Sequence, residues 1–241
     1  METIPFCILC FIFFCQCSSK YVYTDKADAI KIELVYKIPS LYTDDSAFVA
    51  IDSTCIYYYQ QYKVYELPSR YQEYINGELT SDTPTVYYVG YDTVRKKAYK
   101  TQSLTGFPLN EIEVDSFLAS RPESFNVSKV LKMAVLEKSV QVSKNKMISY
   151  YKPKDGSMDS IMLYFDKSLI HIPFSYASNL DEINASKLVR IQFNLKEDFS
   201  KNAIQLNRYR IISWEMRKLK VNTSFPAIAA FCDKIKALSS E

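Results

Sequence analysis

The sequence predicts a mainly β protein in which a curved antiparallel sheet forms a half-barrel or a sandwich, with a short middle helix and a C-terminal helix. The chain of 241 residues contains 20 tyrosines and 4 glycines, and tyrosine favours strands and half-buried surfaces. Apolar and polar residues alternate along much of the chain, which is the pattern of a half-buried strand. The alternating runs recur roughly every 8–12 residues, a spacing typical of antiparallel sheets that curve or pack face to face.

The alternating runs define the predicted strands. In residues 30–38, Ile32, Leu34 and Tyr36 alternate with lysine and glutamate, and Pro39 follows directly. The other predicted strands, in chain order, are residues 47–51, 55–67, 85–94, 98–103, 139–143, 147–152, 160–165, 171–176, 188–195 and 204–221. Polar residues that interrupt these runs predict turns at 52–54, 95–97 and 154–157. The polar stretch 68–84 predicts a loop with one helical turn at 70–75.

The middle of the chain contains two segments with helical character. Residues 110–120 predict a short helix with Asn110 as its N-cap. Residues 129–137 fit either a strand or a helix, because their apolar residues also match a period of about 3.6.

The C-terminal segment predicts an amphipathic helix. Pro226 lies near a first helical turn, and an apolar stripe follows it, consisting of Ile228, Phe231, Cys232, Ile235 and Leu238. We expect this stripe to dock on one face of the sheet and Lys234 and Lys236 to point to water.

The first residues predict a secretory signal peptide. Residues 4–17 are almost wholly apolar and carry four of the six cysteines. The run is shorter than the roughly 20 apolar residues that span a membrane, whereas a signal has an apolar centre of about 7–15 residues followed by small residues. We therefore expect residues 1–19 to be a signal peptide and residues 20–241 to form a single β-rich domain. The mature chain is expected to begin between Cys17 and Lys20.

Two other interpretations of the N-terminal cysteines stay open. In the first, Cys17 is acylated as in a bacterial lipoprotein, which would tether the domain without a spanning helix. In the second, Cys7 and Cys10 belong to a zinc site, but the second pair, Cys15 and Cys17, is too closely spaced for the usual structural site.

Composition restricts the chemistry further. The net charge is +3, which gives no strong attraction to nucleic acid or to anionic lipid. No glycine-rich nucleotide loop occurs. His171 is the single histidine, so a multi-histidine zinc site is excluded, and no Gly-x-Ser-x-Gly elbow accompanies it.

The remaining polar groups are expected to be structural. Three acidic clusters, at residues 44–45, 111–115 and 181–182, lie where exposed turns or helix starts are predicted. A basic run contains Arg208, Arg210, Arg217, Lys218 and Lys220, with Tyr209 and Trp214 between them, and period-two alternation explains it as a charged solvent face.

Cysteines and sequons complete the inventory of candidate modification sites. Sequons begin at Asn126, Asn184 and Asn222 and would matter only in a host that glycosylates exported proteins. We expect Cys55 and Cys232 to be unpaired, because two cysteines in different types of element rarely meet within bonding distance.

One family resemblance accompanies these patterns. Residues 30–36, Ile-Lys-Ile-Glu-Leu-Val-Tyr, resemble the opening strand of small exported β-rich bacterial envelope proteins that are named for a Gly-Leu-Pro-Gly-Leu-Ile motif. The motif itself is absent, and residues 106–109, Gly-Phe-Pro-Leu, correspond to only part of it. The resemblance implies an exported β-rich protein and supplies no catalytic residues.

The sequence therefore predicts an exported, non-enzymatic β-sheet protein that acts as a binding or envelope-associated structural module. Its expected partner is an apolar or extended ligand or an envelope protein, not nucleic acid, and membrane attachment would occur only through lipidation at Cys17. No catalytic, metal or cofactor-binding residue is assigned, and no cofactor is expected. The alternative is a secreted hydrolase that uses carboxylates in an aromatic-lined cleft.

Overall fold

The computed structural model describes residues 30–39, 49–75, 78–106, 108–121, 127–156, 158–195, 211–220 and 225–238. The predicted signal peptide with Cys17 lies outside these residues. So do the acidic pair at 44–45, the sequons at Asn126 and Asn222, and the first part of the basic run, 208–210.

Eleven strands in the described part of the chain form one open antiparallel sheet. The strands are β1 (Ile30–Pro39), β2 (Val49–Tyr59), β3 (Tyr62–Ile75), β4 (Glu78–Asp92), β5 (Lys97–Thr101), β6 (Asn110–Ile112), β7 (Ala134–Ser143), β8 (Lys146–Pro153), β9 (Met158–Asp166), β10 (Lys187–Leu195) and β11 (Ile211–Leu219). The mainly β class, the antiparallel sheet, a short middle helix and the C-terminal helix are confirmed.

The sheet is built from two meanders that meet in its centre. Its spatial order is β6-β5-β4-β3-β2-β1-β11-β10-β9-β8-β7. Strands β1 to β6 therefore proceed outward from the centre to one edge, and β7 to β11 proceed inward from the other edge. Strand β1 pairs with β11 from Lys31 opposite Leu219 to Lys37 opposite Ser213, so the two halves share one continuous hydrogen-bonded ladder.

One face of the sheet, here the α1 face, carries the larger core. Alternation in β1 places Ile32, Leu34 and Tyr36 in this core. Three short helices contribute residues that pack on it, namely α1 (Val114–Ala119), α2 (Val127–Leu131) and α3 (Ser178–Asn184). Residues 127–131 are thus helical and β7 begins at Ala134, so both patterns seen in 129–137 occur, one after the other.

The opposite face, here the α4 face, is covered over part of its width by α4 (Phe225–Leu238). The helix buries Ile228, Phe231, Cys232 and Ile235 in a cluster with residues of β2, β3 and β5. Docking of the C-terminal stripe is confirmed, except at Leu238, which is 39 % exposed. Lys236 is exposed as predicted, but Lys234 is half-buried and its Nζ donates to the Thr105 carbonyl at 2.9 Å.

The largest correction concerns the hairpins after β1. The predicted turn at 52–54 is part of β2, because those residues pair with β1. The chain turns at Gln60 and Gln61 instead, with Gln60 at a φ of 51°. This left-handed conformation usually marks a glycine or asparagine, and neither occurs there to signal the turn.

The predicted loop at 68–84 is also wrong, because β3 and β4 continue through it as a hairpin. Strand β2 pairs with β3 only as far as Glu66, and β5 pairs with β4 only from Tyr88 onward. Among the described strands, the outer part of the hairpin therefore pairs only with itself. A ribbon with no sheet neighbour needs no apolar stripe, which explains its loop-like composition.

Two smaller predictions need correction. Residues 110–112 form β6, and the cap of α1 is Glu113, whose side chain accepts from the Asp115 and Ser116 amides. Residues 171–176 are irregular instead of a strand. Their apolar residues follow a core pattern because Ile172, Phe174 and Tyr176 are buried against the sheet.

Candidate functional site

A cavity of about 450 Å³ opens on the α1 face. It lies between β2, β3, α1 and the irregular segment 173–175, and its lining consists of Tyr58, Lys63, Tyr65, Leu118, Ala119, Pro173, Phe174 and Ser175. This volume falls within the range of small-molecule sites, about 300–1,000 Å³. The cavity is therefore large enough to hold a ligand of modest size.

The floor of the cavity follows from the β2–β3 hairpin. Tyr58 and Lys63 are directly opposed in the register of the two strands, so both side chains, with Tyr65 two residues further along, lie on the α1 face. The Lys63 ammonium is 5.8 Å from the centre of the Tyr58 ring. The turn at Gln60 and Gln61 creates this juxtaposition, because it sets the register.

The walls are held by aromatic contacts and by a capped helix. The Tyr65 ring packs edge-on against Phe117 of α1, with 5.1 Å between the ring centres. Glu113 fixes the start of that helix, and hydrogen bonds from the Ser116 and Asp115 groups lower the pKa of its carboxyl. Glu113 is thus a structural cap, as expected for a helix-start acid.

The segment from 172 to 177 forms the opposite wall. The Phe174 ring packs edge-on against Tyr176 at 4.8 Å, and the Ser175 hydroxyl accepts a hydrogen bond from the Ala177 amide at 3.1 Å. These contacts hold Phe174 beside the cavity. Because the sequence predicts a strand here, this wall was missed, and Pro173 was the signal of an irregular segment.

Lys63 is the one charged residue in the described lining. The lining also contains the aromatic residues Tyr58, Tyr65 and Phe174, each of which is mostly buried. The arrangement suits a molecule with an apolar body and an anionic group.

The uncovered part of the α4 face presents a different surface. A row of alternating charge crosses the central strands there: the Arg217 guanidinium lies 3.7 Å from Glu33 and 3.0 Å from Glu215. The hydrogen bond from Arg217 lowers the pKa of Glu215, and Glu215 in turn raises the pKa of Arg217. The single guanidinium is therefore shared between two carboxylates.

The same surface continues into a polar and aromatic network. The Arg190 guanidinium lies 4.9 Å from the Tyr164 ring centre and donates to Gln192 at 2.6 Å. Gln192 donates to Asn194 at 2.8 Å, and Asn194 donates to Ser160 at 2.7 Å. Burial raises the pKa of Tyr164, although Arg190 opposes this effect. A smaller cavity of about 310 Å³ adjoins Tyr164 and Arg190.

Between α4 and that open surface, Cys55 lies in a charged cluster. Tyr57 donates to Glu66 at 2.6 Å, and the Lys31 ammonium is 3.9 Å from Glu66. Burial raises the pKa of the Cys55 thiol, and Lys31 only partly opposes this. Because the thiolate is the nucleophile, Cys55 is not activated. As predicted, Cys55 and Cys232 are both free thiols.

The histidine and the acidic candidates that the structure describes have separate partners. The exposed His171 Nε2 lies 3.0 Å from the Lys218 ammonium. Asp181 is buried instead of exposed, and it bonds Lys187 at 2.8 Å. The Asn184 side chain, which begins the second sequon, donates to the Leu180 carbonyl at 2.8 Å.

In its described part, the basic run is divided between the two faces of β11. The pleat of β11 places Trp214 and Arg217 on opposite faces. Trp214 packs edge-on against Phe193 at 5.4 Å, within the α1-face core. Arg217 faces the other side and is ion-paired.

The sequence matches no protein-family model and no curated protein. Among the described residues, no three His, Cys, Asp or Glu side chains are grouped so that they could hold a metal ion. No helix in the described ranges has the length and apolarity to cross a membrane.

Proposed function

We propose that this protein is an exported, non-enzymatic binding module that holds a small ligand in the cavity beside Lys63. The ligand has an apolar body and one anionic group. The observation that carries the proposal is the lining itself, which combines three aromatic residues with a single lysine. Binding sites of this kind are mostly apolar, with few polar groups that fix orientation.

Binding is favoured over hydrolysis because of where the carboxylates lie. A hydrolase of the alternative class needs two carboxylates facing each other across a cleft. The described lining of the larger cavity contains no acidic residue, and Glu113 and Asp181 are held in structural hydrogen bonds. The smaller cavity is lined by two carboxylates, Asp166 and Glu215, but Asp166 accepts from Ser168 and Glu215 accepts from Arg217. Export is supported by the apolar N-terminal run and the small residues that follow it.

Calorimetric titration with a matched pair of probes tests the ligand class. Naphthalene-2-carboxylate and naphthalene-2-carboxamide have the same apolar body, and only the first is an anion. We expect the carboxylate to bind about tenfold more tightly, since a difference of about 1.4 kcal/mol is tenfold in affinity. Lys63→Met should abolish the preference without abolishing amide binding.

A matched control separates the cavity from a general charge effect. Lys100 lies on the same face with its ammonium 4.3 Å from the Tyr87 ring centre, so Lys100→Met removes a similar lysine outside the cavity and should change neither affinity. Ala119→Trp should fill the cavity and weaken both probes. Equal binding of both probes to wild-type protein and to Lys63→Met would contradict the proposal.

Export is tested separately by mass spectrometry of the protein recovered from its native host. We expect an N-terminus between Cys17 and Lys20, and the mass would also reveal acylation. An intact Met1 on cytoplasmic protein would overturn this part of the proposal.

A further inference from the structure

Strand β7 is an exposed edge of the sheet. It is 10 residues long, and β8 is its one strand neighbour among the described residues. All its residues except Ala134 are exposed. An edge strand presents a row of unpaired backbone donors and acceptors that can template another strand.

The side chains of this edge are unusually apolar for exposed residues. Four of them are between 41 and 58 % exposed, namely Val135, Leu136, Val140 and Val142. Charged residues protect most natural edges, but the ammonium of Lys138 lies 4.9 Å from the Tyr150 ring centre on the adjacent strand. Lys138 therefore covers its own sheet, and β7 contains no proline. The register between β7 and β8 shifts just before residue 138 and just after residue 141. Residues 138–141 are therefore the regular segment of β7 with which another strand could pair.

The two edges of the sheet are very different. The other edge strand, β6, has only 3 residues. Pairing of β7 with β6 of another copy would be head-to-tail and could form few backbone hydrogen bonds. Pairing of β7 with β7 is antiparallel about a two-fold axis, so it uses the full strand in both copies and closes as a dimer.

Charge favours the same arrangement. Strand β7 contains one acid, Glu137, and one base, Lys138, so two copies meet without net repulsion. We propose that two copies of this chain associate through their β7 edges and extend the sheet across a two-fold axis. This inference does not depend on the ligand cavity, which lies on the α1 face near β2 and β3.

Sedimentation velocity of the intact protein from about 1 to 100 µM tests the inference. We expect the wild-type protein to convert from monomer to dimer over this range. The double variant Val140→Lys/Val142→Lys places two lysines on the edge and should raise the dimer dissociation constant at least tenfold. Val94→Lys is the matched control, because Val94 is 70 % exposed in the turn between β4 and β5, and it should dimerise like wild type.

Hydrogen exchange of the wild-type protein keeps the test independent of how the variants fold. Exchange of β7 amides should slow as the concentration rises, while exchange of β6 amides should not change. A wild-type protein that stays monomeric at 100 µM would overturn the inference. A double variant that folds and dimerises as wild type does would also overturn it. The same holds if β7 amides are protected only by an added peptide of another protein and not by a second copy of this chain.

Discussion

Lys187 and Asp181 form a buried ion pair that ties α3 to the start of β10. Their Nζ–Oδ2 distance is 2.8 Å, and the two side chains are 2 % and 6 % exposed. The second oxygen of Asp181 accepts the Leu188 amide at 2.7 Å. The carboxylate therefore has partners on both oxygens, which is the condition under which a buried charge is tolerated.

Removal of one member of this pair should destabilise the protein strongly. Asp181→Ala leaves the Lys187 ammonium buried without its carboxylate and the Leu188 amide without an acceptor, so we expect the free energy of unfolding to fall by about 3–5 kcal/mol. Urea denaturation measures this. Glu182→Ala changes an exposed neighbour in the same helix and should have an effect within about 0.5 kcal/mol; equal losses for both variants would contradict the structural role.

Phe231 should be a principal contributor to docking of α4. Its ring is fully buried in the cluster between the helix and the sheet, and a Phe→Ala change at such a site costs about 3–5 kcal/mol. Leu238→Ala removes an apolar side chain of the same helix that is 39 % exposed and should cost far less. If thermal denaturation gave the same midpoint for Phe231→Ala and wild type, α4 would be peripheral to the fold.

Gly90 lies directly beneath α4, and its lack of a side chain allows the helix to approach β4. A Cβ at this position would clash with Ile235 and would lie 2.7 Å from the Phe231 ring. We expect Gly90→Ala to cost about 1–3 kcal/mol by overpacking. Ile235→Ala removes the first clash, so the cost of adding Gly90→Ala to that variant should be smaller. A double-mutant cycle measures this coupling, and strictly additive losses would contradict the close contact.

The fold could be predicted from the sequence wherever a segment packs on a single core. Strand β1 was predicted because its buried residues, such as Ile32 and Leu34, recur at every second position. Helix α4 was predicted because its buried residues, such as Phe231, recur every three or four positions. The outer β3–β4 hairpin was missed because it pairs with no other described strand and its sequence shows no alternating apolar pattern. The tight turn at Gln60 was missed because its backbone conformation is set by strand pairing, without a glycine to mark it.

The candidate site could be predicted only in part. The sequence indicated abundant tyrosine on alternating strands and an apolar or extended ligand, but not which tyrosines would share a cavity. Tyr58 and Tyr65 line the same cavity as Phe174, although Phe174 lies more than 100 residues further along the chain. Alternation within one strand contains no information about such partners.

Cys232 should make the protein less stable as the pH rises above 9. Burial, with a smaller contribution from Asp233, raises the pKa of its thiol from 9.0 to about 12. Above pH 9 the unfolded chain loses this proton while the folded chain keeps it, so the folded state binds more protons and stability falls with pH. The slope from this group approaches at most about 1.4 kcal/mol per pH unit.

Urea denaturation between pH 8.5 and 10 should show a steeper decline for wild type than for Cys232→Ala, which lowers stability at every pH but lacks the titrating group. Cys55→Ala is the control for the other free thiol, and parallel declines for wild type and Cys232→Ala would show that Cys232 does not titrate in this way.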